Sequence, residues 1–139
     1  MPSFKYAAQL QALADCPASD CREATRDAYR YVFRSRMWDS FTPVLAGQPQ
    51  RALKWSDRDR CGGWALSFFS SADVAGAIFT KLQNTSRNIH KTIGDSIALG
   101  KLQTSDGVVS TPDSDGHFEL HEYAGTNLVA RFTVVLELA

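Results

Sequence analysis

The chain has only three cysteines and two methionines among 139 residues, no net charge, and no long apolar run. Each scarcity excludes something. Three is an odd and small number, which fits free thiols in a reducing compartment better than a disulfide framework. With 15 basic and 15 acidic residues and no dense basic stripe interleaved with aromatics, the sequence argues against nucleic-acid binding. No stretch approaches the roughly 20 apolar residues of a membrane span, and the opening MPSFKYAAQLQALADC lacks a basic start followed by an apolar core. A protein made in the cytoplasm and without a membrane partner is expected. Delivery to another cell by a dedicated apparatus would leave no mark in such a reading.

What is present is an ordinary globular composition, 44% hydrophobic and 22% charged, which predicts a single domain over residues 1–139. A chain of this length buries roughly two-thirds of its unfolded surface, so neither a metal nor a disulfide is needed for stability. Charge is segregated along it. Residues 1–60 carry a net +3, residues 61–101 a net +2 and residues 102–139 a net −5. Such ends pair within one fold or present two opposed faces.

The pattern predicts two N-terminal helices, SFKYAAQLQALA capped by Ser3 and SDCREATRDA capped by Ser19, then a strand, YRYVFRS, over 29–35. Residues 36–62, with Pro43, Pro49, Gly47 and a charge cluster, read as a long irregular connection. WALSFF (64–69) reads as a strand. Helix 72–83 follows, its apolar face set by Val74, Ala75, Ile78, Phe79 and Leu82, with Ser70 and Asp73 as a capping-box start. Strands are expected at 96–102, 108–111, 117–123 and 130–138, separated by Asp106-Gly107 and PDSDG turns. The class is therefore α+β, with N-terminal helices and two small, mostly antiparallel sheets.

Three chemistries can be weighed. His117 and His121 share a strand face but stand about 13 Å apart along it, and Cys16 and Cys21 lack zinc-knuckle spacing, so no metal is expected. Cys61, in a polar stretch before Gly62-Gly63, has nothing in sequence to lower its pKa, and the two glycines lead into a strand rather than a phosphate-binding helix. The third set is more coherent: an arginine on an early strand, serines where LSFFSS meets a helix, and ELHE on a late strand. Arginine and hydroxyls hold phosphates and ribose, and a carboxylate stabilises an oxocarbenium-like transition state.

On YRYVFR, LSFFSSADVAGAIF and HFELHEYAGTNLVARFTVV the chain resembles the ADP-ribosyltransferase superfamily of bacterial toxins and related proteins. The resemblance implies split β-sheets around a crevice for NAD, which serves as substrate. It places Arg30, with Arg34 the alternative, and Ser67 or Ser70 at the NAD site, and Glu122 or Glu119 as the catalytic carboxylate. The serine element here reads SFFSS, without the family's threonine, and the two glutamates are three apart and so face opposite sides of a regular strand. Glu122, alternating with Phe118 and Leu120, is preferred because an acid on an apolar face suits a pocket edge. The expected function is a toxin or effector that transfers ADP-ribose. The alternative is a non-enzymatic inhibitor or immunity-type module, a degenerate transferase fold among its forms, that grips a protein partner through 36–62 with Trp38, Phe41 and Trp55 as anchors.

Overall fold

A computed structural model describes residues 2–139. Six strands lie among them: β1 (Arg26–Val32), β2 (Leu66–Phe69), β3 (Ser96–Leu102), β4 (Gly107–Val109), β5 (His117–Glu122) and β6 (Thr133–Glu137), the aromatic and β-branched residues of β1, β2 and β5 favouring extended backbone. All pair antiparallel, in the order β4-β5-β2-β1-β3-β6. The α+β class is as expected, but the six strands form one sheet where two were expected. The central join is slight: β1 meets β2 through the single pair Tyr29 and Phe69, whereas β1 and β3 stay in register from Arg26–Leu102 to Val32–Ser96.

One face carries Ala28, Val32, Leu66, Phe68, Ala98, Leu102, Phe118 and Leu120, all buried, together with Val109, and the core closes over them with Leu128 and Phe132. Gly100 leaves room there for the Phe132 ring, which a Cβ would meet at 2.5 Å. The other face is covered by α4 (Ala72–Thr85), whose Ala75 and Phe79 bury beside Phe69, Ile97 and Tyr31. Three shorter helices complete the chain: α1 (Ala7–Gln11), α2 (Val44–Gly47) and α3 (Asp57–Gly63). Among the described residues no helix is long and apolar enough to cross a membrane.

Several expectations change. The second N-terminal helix is absent; its last residues, from Arg26, belong to β1, and Arg22 bridges Val109 instead. Seven rungs to β3 outweigh the helix propensity of that stretch. Residues 36–62 are not irregular, since they hold α2, most of α3 and two 3-10 turns, Arg34–Asp39 and Pro49–Ala52. Helix α4 is capped by Ser71, whose hydroxyl accepts from the N–H groups of Asp73 and Val74; Ser70 donates to the Gly116 carbonyl. Cys16 and Cys61 are disulfide-bonded rather than free, leaving Cys21 as the free thiol.

Candidate functional site

β1 and β2 part beyond their single rung, and Arg30 occupies the parting. Its Nη1 donates to the Ser67 carbonyl at 2.8 Å, across the gap where a ladder bond would otherwise run. Its Nε donates to the Ser40 carbonyl at 2.9 Å. Ser40 is itself locked, accepting from Phe33 N–H and donating to the Arg36 carbonyl, so the turn after β1 folds back to hold the guanidinium. The rings of Phe41 and Phe68 lie 5.7 Å from it. Burial lowers the Arg30 pKa to about 10 and the Glu122 carboxylate acts against that shift, so the side chain stays cationic at neutral pH.

A cleft of about 500 Å³ opens beside Arg30, lined also by Tyr31, Phe33, Ser40, Ser67 and Phe69. That volume suits a small organic ligand. Its walls are mostly aromatic and aliphatic, with two arginines, Arg30 and Arg51, one acid, Asp39, and hydroxyls, a set able to stack a planar ring and hold a phosphate.

Glu122 projects from β5 on the same sheet face as Arg30, in line with Phe118 and Leu120. It is 5% exposed. Oε2 accepts from Lys5 Nζ at 2.9 Å, while Oε1 has no partner among the described residues. Burial pushes the carboxyl upward; Lys5 and Arg30 pull it back, and Asp106 adds to the rise. The N-terminal segment is laid across it: Lys5 N–H donates to the Glu122 carbonyl, Phe4 bridges Tyr123, and Lys5 Nζ also reaches the Thr126 carbonyl.

The structure places Arg30 and Glu122 on one sheet face, while Ser67, paired with Glu119, turns its hydroxyl to the other face and meets Arg30 only through its carbonyl; Arg30 and Ser67 line the cleft, and Glu122 is not among its lining residues. Arg34 points away and pairs with Glu137 and Asp95 at the sheet edge. Ser70 is engaged with the β-turn at Gly116. Glu119 faces the opposite side of β5, beside Gly62, in a cleft of about 600 Å³ shared with Asp15, Cys21, Arg58 and His117. Of the three aromatic anchors, Phe41 packs on Phe132 at 5.0 Å and Trp55 is half-buried near Gly63. Trp38 stands out at 73% exposed.

Lys5 and Ser40, which hold the two charged groups, were not read from the sequence. Lys5 lies 117 positions from Glu122, and no local pattern marks such a pair. Ser40 had a weak signal, a small hydroxyl among WDSFTP just after the arginine strand. Comparison with family models, with curated proteins and with solved structures found no match.

Proposed function

We propose that the chain binds NAD across the seam between β1 and β2 and transfers ADP-ribose from it. The observation that carries this reading is Glu122: a buried carboxylate with one unpartnered oxygen, on the sheet face from which Arg30 projects at the seam. In this reading Arg30 and the hydroxyls beside it hold the pyrophosphate, and the aromatic wall takes a planar ring. Glu122 Oε1 accepts a hydrogen bond from the nicotinamide ribose. The bond from ribose C1′ to the nicotinamide nitrogen then breaks, its electron pair leaving with nicotinamide, and the carboxylate stabilises the oxocarbenium-like ribose until an acceptor nucleophile attacks C1′.

Calorimetric titration with NAD, followed by a nicotinamide-release assay, tests it. Arg30→Ala should weaken NAD binding, while Glu122→Gln keeps the shape, retains binding and loses most turnover. Wild-type protein that takes up no NAD at about millimolar concentration, a free energy near −4 kcal/mol, would sink the reading.

Trp38 at 73% and Leu53 at 80% exposure favour a second reading, in which the segment between β1 and β2 docks on a protein partner. Partner retention by folded Trp38→Ala and Leu53→Ala variants would reject that surface.

A further inference from the structure

A second cluster lies on the opposite sheet face from Arg30 and Glu122. Cys61 sits near the end of α3, Cys16 follows α1, and His121 projects from β5 toward both. The Cys16 and Cys61 sulfurs form the disulfide, and Cys61 Sγ lies 3.6 Å from His121 Nε2. The two sulfurs and a ring nitrogen all fall within 4.8 Å of one another. His121 is 4% exposed, and its Nδ1 has no hydrogen-bond partner among the described residues. A buried imidazole with a free ring nitrogen costs the fold energy, and a disulfide gives it little in return.

Zinc chemistry accounts for the arrangement. With Zn–S near 2.3 Å and Zn–N near 2.0–2.1 Å, a tetrahedral centre places sulfur and nitrogen about 3.6 Å apart and two sulfurs about 3.8 Å apart. The sulfur–nitrogen edge is already at that length. Breaking the disulfide frees the two sulfurs to part, and the Cα separation of 5.7 Å leaves room for side-chain rotation.

We propose that reduction of the Cys16–Cys61 disulfide creates a zinc-binding site formed by Cys16 Sγ, Cys61 Sγ and His121 Nε2. A dithiol reductant supplies two electrons and two protons: its own sulfurs become a disulfide, the Cys16–Cys61 bond breaks, and two thiols result. Zinc then displaces one proton from each sulfur, and the two thiolates neutralise its charge. His121 presents Nε2 to the sulfurs, and its Nδ1 has no hydrogen-bond partner among the described residues. The fourth position opens toward the cleft that Glu119, Asp15 and Arg58 line, where water or a carboxylate completes the shell. In either redox state the segment after α1 stays tied to α3, by a covalent bond or by a shared ion.

The full chain, oxidised or reduced with a phosphine, is titrated anaerobically with Co²⁺ and then with Zn²⁺. The reduced chain should bind one Co²⁺ with tetrahedral visible bands and thiolate-to-cobalt absorption, exchange it for one Zn²⁺, and release two protons per zinc. Zinc should shield Cys16 and Cys61 from alkylation while Cys21 still reacts. The oxidised chain should bind none. His121→Asn should weaken zinc by more than about 100-fold, beyond what loss of a supporting partner costs, and Cys21→Ser should change nothing. No cobalt spectrum in the reduced wild type overturns the proposal without reference to any variant. So does zinc binding that survives His121→Asn in a folded chain, or that is lost with Cys21→Ser.

Discussion

Glu122 and Lys5 show how one long-range pair shapes the chain at the scale of a residue. Lys5 is the direct cation on a carboxylate whose side chain is 3% exposed. Lys5→Met keeps the stem and removes the charge, so it should cost about 1–3 kcal/mol, read as a lower urea midpoint. Adding Glu122→Gln should recover most of that loss, which a double-mutant cycle measures. Tyr31 offers a pH test. Its hydroxyl donates to the Ala75 carbonyl at 2.6 Å, and burial raises its pKa to about 12. The fold thus favours the neutral phenol. Its contribution is complete below the unfolded pKa of about 10 and is lost as pH climbs through the folded value. Unfolding free energy should fall as pH rises from about 9 through about 12, and less steeply in Tyr31→Phe.

Among the elements, α4 gives the clearest capping test. Ser71→Ala removes an acceptor for two N–H groups and should cost about 1 kcal/mol, whereas Ser70→Ala should cost less, because its bond to Gly116 is exposed. α4 was legible in the sequence because its apolar spacing and its solvent exposure follow one helical period. β3 was legible from its short apolar run bounded by the Asp106-Gly107 turn, since both its faces are buried at Ile97 and Ala98. β1 was read late by three residues, since SDCREATRDA carries a helix cap and helix formers, and only pairing with β3 makes its end a strand. α3 had its signals, Ser56 as cap with Asp57 and Asp59 in the first turn, but Gly62-Gly63 and the lack of an apolar stripe hid them. At the site, strand alternation put Glu122 on the face of Phe118 and Leu120, but nothing local showed that Ser67, paired with Glu119, would face away from Arg30 and Glu122. Cys16 and Cys61, 45 positions apart, were not readable as a pair, because nothing local tells a cysteine which distant one it will meet.

For the whole molecule, the disulfide closes a loop that contains β1 and most of α3. Loop-closure entropy over a separation of 45 residues corresponds to about 4 kcal/mol. Reduction in the presence of a chelator should therefore lower the melting temperature by roughly 10 °C or more, and a variant with Cys16→Ser should match the reduced wild type. Sheet connectivity has another consequence. Between neighbouring β2 and β1 only one rung and one guanidinium link β4-β5-β2 to β1-β3-β6, with the Arg22–Val109 bridge and the shared core at either side, so the sheet has its weakest line along Arg30. Amide protons of β2 that face this line should exchange with deuterium far sooner than those in the β1–β3 ladder, whose seven rungs open only with the fold. A ligand lodged there would clamp both halves of the sheet together. Protection would then rise at once in strands more than 30 positions apart along the chain, such as β1 and β2, a mechanical signature of occupancy that needs no knowledge of the ligand's chemistry.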